Sequence, residues 1–132
     1  GASIVIGLFA GMIVVIGITL LDKLHVDDPV GAISVHGFNG MWGTIAVGIW
    51  GQKALGLAND GLLHGGGFTQ LGIQIMGTVA CAAFAMACMA IVFAAVKAIM
   101  GLRVSVEEEI RGLDIEEHGM EAYSDFQIFM TR

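Results

Sequence analysis

Three long runs of apolar residues dominate the chain. The first covers residues 1–21 and contains no charged residue, the second covers 30–50, and the third covers 68–100, interrupted by Gln70, Gln74 and Lys97. Each run is long enough for a helix across a bilayer, which needs roughly 20 apolar residues. The third is longer than that and should tilt or emerge from the lipid. The pattern predicts an all-α, integral membrane helical bundle with three transmembrane helices.

Polar residues mark the start of the second helix. Asp28 is a good N-cap residue, and Pro29 suits the first helical position, where a missing N–H has no cost. Between the second and third helices, residues 51–67 are rich in glycine and predict a surface loop. We therefore assign residues 1–100 to a transmembrane part.

Residues 101–132 form a polar tail with two helix-start signals. The first runs from Ser105 to Glu108, predicts a capping box, and is followed by Gly112 as a stop. Asp114 begins a second signal of the same kind, with Gly119 as its stop. The tail is therefore predicted to be two short helices joined by glycine.

Composition agrees with a membrane protein. Of the 132 residues, 56% are apolar and 14% are charged, too few charges for the surface of a soluble domain. The net charge of −6 lies mostly in the tail, and no basic patch favours a nucleic-acid partner. Basic residues concentrate on the side that the tail shares with residues 22–29, which predicts a cytoplasmic tail: Lys23, Lys97, Arg103 and Arg111.

One ionisable ring, His36, lies inside the second apolar run. On a regular helix it shares a face with Asn39, Gly40 and Gly43, and with Ala32 these residues are candidates for a pore wall or a helix-packing surface. An ionisable group at membrane depth is costly and usually functional. A neutral imidazole offers one hydrogen-bond donor and one acceptor. A structural histidine bonded to a backbone carbonyl remains the alternative.

No group of residues in the sequence suggests a metal or another cofactor. His25, His64 and His118 have no spacing typical of a metal site, and the cysteines Cys81 and Cys88 fit packing roles. No metal and no other cofactor is predicted. A membrane enzyme that uses His36 as acid or base is not expected, because the second helix holds no other titratable residue as a partner.

Two segments resemble one family of transporters. VDDPVGAISVHGFNGMWGTIAVG, residues 26–48, is similar to the tenth transmembrane helix of the ammonium transporter (Amt/MEP/Rh) family, in its Amt branch. GLRVSVEEEIRGLDIEEHGMEAY, residues 101–123, resembles the cytoplasmic tail signature of the same branch. The resemblance covers residues 1–123 and implies an 11-helix fold, a homotrimer with one pore per protomer, and a chain that supplies the last three helices and the tail.

The resemblance also implies roles for particular residues. His36 would be one of two paired pore histidines in an ammonium/ammonia channel of the bacterial or archaeal plasma (inner) membrane, active in nitrogen metabolism. The tail residues that match the family signature would form a regulatory segment that contacts neighbouring protomers and a PII-type (GlnK-like) regulatory protein: Gly101, Arg103, Glu108, Gly112, Asp114, His118, Gly119 and Tyr123.

The parts of the family pattern that are missing support the interpretation of a fragment. The other pore histidine, the phenylalanine gate and the aromatic recruitment site belong to earlier helices of the family, and the sequence begins with Gly1. Three helices cannot enclose a pore, so we expect a piece of a full transporter. An Amt-like ammonium sensor whose tail leads to a signalling domain, and a purely structural helical subunit, are the alternatives.

Overall fold

The computed structural model describes residues 1–122, and every regular element in that range is helical. Helix α1 covers Ala2–Lys23. A six-residue π-helical stretch, Ile33–Phe38, which we call the π segment, runs directly into α2 at Asn39–Trp50, and α3 covers Thr69–Ile99. Two short tail helices follow, α4 at Val106–Arg111 and α5 at Leu113–His118. Contacts divide the chain into two compact units, with the boundary inside α3 after Met86.

Two of the described helices, α1 and α3, are long and apolar enough to cross a membrane. The predicted second helix, residues 30–50, differs from the expectation of one regular helix. Helical structure begins at Ala32 and passes through the π segment before α2 continues as a regular α-helix. The second apolar run is therefore helical from Ala32 to Trp50, but its first part has a wider turn.

The position of Pro29 explains why the second helix begins later than predicted. Asp28 to Gly31 form a turn, in which the Gly31 N–H donates to the Asp28 carbonyl at 3.0 Å and Gly31 has a φ of +68°. Pro29 thus lies in this turn, and its assignment to the first helical position is wrong. The two carboxylate oxygens of Asp28 nevertheless accept from the Ile33 N–H, at 3.1 and 3.3 Å. Asp28 thus satisfies one of the backbone N–H groups that have no partner within the first turn of a helix.

Within the first unit, α1 packs along the π segment and α2. Gly17 of α1 is buried against Ser34 and Phe38, and the Trp42 indole N–H donates to the Ile6 carbonyl at 3.0 Å. Few side chains in this unit are fully buried, and large apolar residues of α1 and α3 are exposed. Apolar surface of this extent is stable in lipid or against further helices.

The connection between α2 and α3 is closed by hydrogen bonds to a backbone carbonyl and to a carboxylate. It contains two short 3-10 turns, at Lys53–Leu55 and Leu62–His64. The Gly61 N–H donates to the Gly51 carbonyl at 2.8 Å, and the Lys53 N–H donates to the Asp60 carboxylate at 2.8 Å. This closure places the end of α2 beside the start of α3.

The tail contains one of the two predicted capping boxes. At the start of α4, the Glu108 N–H donates to the Ser105 hydroxyl at 3.2 Å and the Ser105 N–H donates to the Glu108 carboxylate at 2.7 Å, which confirms the first. The second box is wrong. Gly112, with a φ of +98°, takes the cap position of α5, so Asp114 lies inside the first turn and its carboxylate accepts from the Ala122 N–H at 2.9 Å.

Candidate functional site

His36 lies in the middle of the π segment. A π-helix forms i→i+5 hydrogen bonds, and single turns of this kind inside α-helices are frequent at functional sites. The spacing of apolar residues did not predict this widening, because it resolves a helical face but not one extra residue in a single turn. The π segment is thus the main local feature of the candidate site that sequence reasoning missed.

The π segment has a packed side and an open side. Ser34 is fully buried and Phe38 is half-buried, and both face α1. His36 lies two residues from each of them, which places it roughly 160–200° around the helix axis. The His36 side chain is accordingly exposed, as are Ala32 and Gly40 on the same face.

The residues predicted to share a face with His36 differ in their surroundings. A Cβ added at Gly40 or Gly43 would meet no atom within 4 Å, so both glycines face open space in this unit. Asn39 is half-buried, and its side-chain carbonyl oxygen has no hydrogen-bond partner among residues 1–122. The open side of the helix therefore consists of Ala32, His36, Gly40 and Gly43, with Asn39 at its edge.

The His36 ring makes no hydrogen bond or ion pair with any other residue in the range 1–122. A structural histidine bonded to a nearby carbonyl therefore has no counterpart in this part of the chain. The ring is free to present its donor and its acceptor to whatever lies beside the open face. Chemically, this arrangement can bind a small molecule that itself donates and accepts hydrogen bonds.

The helix that continues the π segment is held by contacts with both α1 and α3. Besides its hydrogen bond to α1, the Trp42 ring lies 5.5 Å from the Phe9 ring and 6.1 Å from the Trp50 ring, measured between centroids. A Cβ added at Gly48 would lie 2.7 Å from the Leu71 Cα. Contacts of Trp42 with α1 and of Gly48 with α3 therefore fix α2, which continues the π segment that carries His36.

Small residues stand at every fourth position of α2, at Gly40, Thr44 and Gly48. A Cβ added at Gly48 would meet Leu71 of α3, whereas a Cβ added at Gly40 would meet no described atom within 4 Å. The Thr44 hydroxyl donates to the Gly40 carbonyl at 2.9 Å, which satisfies it within its own helix. The absence of a Cβ at position 48 is what allows the backbones of α2 and α3 to approach.

The predicted regulatory residues lie in the exposed tail. Gly101, Gly112 and Gly119 all have φ between +66° and +98°, which favours glycine. Arg103 lies between Gly101 and α4, and His118 is the last residue of α5. Tyr123 lies outside the described residues.

Hydrogen bonds hold two tail carboxylates in their ionised form. The backbone N–H of Ser105, and then its hydroxyl, lower the pKa of Glu108 below its usual 4.5. The Ala122 N–H is the main cause that lowers the pKa of Asp114 below 3.8. An exposed ion pair between Arg111 and Glu116, at 2.8 Å, joins α4 to α5 and was not predicted from the sequence.

Comparison with known proteins places residues 1–123 in one family. The profile of the Ammonium Transporter Family matches residues 1–123, which include the π segment, all three long helices and the two tail helices. The chain belongs to the ammonium transporter family. Membership confirms the predicted resemblance and the predicted fold class, a helical membrane bundle.

Individual relatives support this assignment to the ammonium transporter family. Ammonium transporter Amt2 of Archaeoglobus fulgidus is 43% identical over 132 residues, covering 95% of this chain and 28% of the relative. Amt2 of Methanocaldococcus jannaschii is 41% identical over 93% of this chain and 28% of its own length. The ammonium transporter of Bacillus subtilis is 34% identical, and the match covers 94% of this chain and 31% of the relative.

The chain spans less than a third of the length of these ammonium transporters. No solved structure gives a significant match.

Proposed function

We propose that this chain is the C-terminal part of an ammonium/ammonia channel and that His36 lines the pore of the full protein. The family match over residues 1–123 supports transport of ammonium, because the similar proteins are named as ammonium transporters. The observation that carries the role of His36 is its position on an open helix face, with its ring unbonded within residues 1–122. The function proposed is transport and not catalysis.

The chemistry of an imidazole suits a permeating ammonia molecule. Ammonia donates through its N–H groups and accepts through its lone pair, and a neutral imidazole complements it with one acceptor and one donor. A fixed charge would be costly in a water-poor passage, so a ring that stays uncharged can line the pore without trapping a cation. The neighbouring Gly40 and Gly43 add no side chain to narrow the passage beside the ring.

In the full protein, a histidine from another helix would pair with His36. Ammonium would release its proton before the neutral species passes the two rings. The chain's own contribution is to hold the His36 ring at the open face and to exclude water with apolar neighbours. We also propose the homotrimer of the family as the assembly, in the plasma membrane.

We propose that the tail lies in the cytoplasm and serves regulation. Its two short helices expose several carboxylates, and the α4 helix is stabilised by its capping box. Exposed carboxylates on short ordered helices can dock on a basic surface, either of a neighbouring protomer or of a PII-type regulatory protein. The charge of the tail and the family match support this role.

The test is uptake of labelled methylammonium by the full-length protein in proteoliposomes. Replacing His36 with Ala should lower uptake about tenfold or more, since loss of one good hydrogen bond in the passage raises the barrier by about 1.4 kcal/mol. His64→Ala is the matched control, because His64 lies in the loop between α2 and α3. Unchanged uptake with His36→Ala would refute the pore role.

The same measurement separates transport from sensing. A full-length protein that gives no uptake in its unmodified form, but changes the activity of a partner domain when ammonium is added, would be an ammonium sensor. A channel would give uptake without such a domain.

A further inference from the structure

The closest approach between α1 and the helix of His36 lies at Gly17. A Cβ added at Gly17 would lie 2.8 Å from the Ser34 hydroxyl oxygen and 2.9 Å from Cδ2 of the Phe38 ring. Both distances are shorter than Cβ contacts in real proteins. The crossing therefore depends on the absence of a side chain at position 17.

Ser34 is the other small residue at this crossing. Its side chain is fully buried, with 0% of its surface exposed, and its hydroxyl has no hydrogen-bond partner among residues 1–122. A buried hydroxyl without a partner is unfavourable. Since the hydroxyl forms no bond there, the contribution of Ser34 to the crossing is its small size.

The contacts at this crossing lie on both sides of His36 along the chain. Ser34 precedes His36 by two residues and Phe38 follows it by two, and both belong to the same π segment. The His36 ring projects from the opposite face. A movement of the π segment away from α1 would therefore carry the ring in the same direction, toward the open side.

We propose that Gly17 and Ser34 are positioning residues for His36. By allowing α1 to lie directly against the π segment, they set the depth at which the imidazole stands in the passage. The inference depends on the proposed pore role of His36. It adds to that role two residues that do not touch the permeating molecule and that the sequence pattern gave no reason to single out.

Two substitutions in α1 provide a matched pair. Gly17→Ala adds a methyl group at the crossing, whereas Gly11→Ala adds the same group where no described atom lies within 4 Å. Both exchange a helical glycine for alanine and so alter the helix propensity of α1 equally. Any difference between them therefore reports the contact with Ser34 and Phe38.

The experiment uses the full-length protein in proteoliposomes with two readouts. The first is the maximal rate of methylammonium uptake, and the second is the solid-state NMR signal of the His36 ring, assigned with His36→Asn. Gly17→Ala should shift the ring signal and lower uptake about tenfold, a barrier change of about 1.4 kcal/mol. Gly11→Ala should change neither.

A second substitution tests whether the effect is steric. Ser34→Gly added to Gly17→Ala removes the closest clashing atom and should restore the ring signal and the uptake in part, since Phe38 Cδ2 stays within 2.9 Å of the added methyl group. If Gly17→Ala does not fold, Ser34→Thr adds a methyl group at the same crossing from the other side and should shift the same ring signal. An unshifted ring signal in the folded variant, or a double variant no better than Gly17→Ala, overturns the proposal.

The two proposals can fail separately. If His36→Ala leaves uptake unchanged, the pore role is wrong, even if Gly17→Ala still moves the ring. If His36→Ala abolishes uptake but Gly17→Ala changes neither readout, the pore role stands and only the positioning role is lost.

Discussion

Gly48→Ala tests the packing that fixes the helix of His36. A Cβ at this position would lie 2.7 Å from the Leu71 Cα, whereas ordinary contacts begin at 3.4 Å, so α2 and α3 must separate by about 0.7 Å. Forcing an extra methyl group into a close-packed contact costs typically about 1–3 kcal/mol. Alanine also favours a helix over glycine by up to about 1 kcal/mol, which would hide part of that cost.

Gly72→Ala is the control for the change in helix propensity. It makes the same exchange in α3, at a position where an added Cβ meets no described atom within 4 Å. The expected difference between the two variants is therefore the packing cost alone, about 1–3 kcal/mol, or roughly 5–150-fold in the unfolding equilibrium. Both variants would be compared in the full-length protein.

The assay is unfolding in increasing SDS, followed by tryptophan fluorescence, because Trp42 and Trp50 both lie in α2. Leu71→Ala should not rescue Gly48→Ala, since the nearest atom is the Leu71 Cα and belongs to the backbone. Equal stability of Gly48→Ala and Gly72→Ala, or full rescue by Leu71→Ala, would refute the reasoning.

Two further predictions concern hydrogen bonds at helix starts. Asp28→Ala removes the acceptor of the Ile33 N–H and should cost about 1 kcal/mol, seen as about fivefold faster amide exchange at Ile33, while unchanged exchange would contradict it. In the tail, the lowered pKa of Glu108 means that ionisation stabilises α4 above pH 4.5 and that this stabilisation is lost as the pH falls through the lowered pKa. Glu108→Gln should remove this dependence in NMR shifts of α4, but Glu107→Gln should not, and equal behaviour of the two would count against the capping box.

Local signals in the sequence predicted the structure best where the backbone is regular. Ser105 and Glu108 stand three residues apart, and each side chain accepts from the backbone N–H of the other residue to close the capping box. The same pattern failed at Asp114, because the cap position is set by the backbone and Gly112 adopts the required conformation first. Which residue begins a helix thus depends on φ values that the pattern does not contain.

Tertiary contacts were harder to predict. The apolar periodicity placed His36 on a face with Gly40 and Gly43, and these residues are exposed together. Nothing in the run of apolar residues in α1 singled out Gly17, because a small residue acquires its role only from the helix that crosses it. The partner, Ser34, could be found only once the two helices were placed side by side.

The wider turn around His36 has a consequence for how this stretch can change in length. A turn with i→i+5 bonds holds one residue more than an α-helical turn, so deleting one residue between Ile33 and Phe38 lets it close as regular α-helix. α2 would keep its angular relation to α1, with the Trp42 indole still over the Ile6 carbonyl. The same deletion inside α2 would instead rotate everything after it by about 100°. Loss of a single residue should therefore disturb the packing of α2 on α1 less when it occurs before Asn39 than when it occurs inside α2.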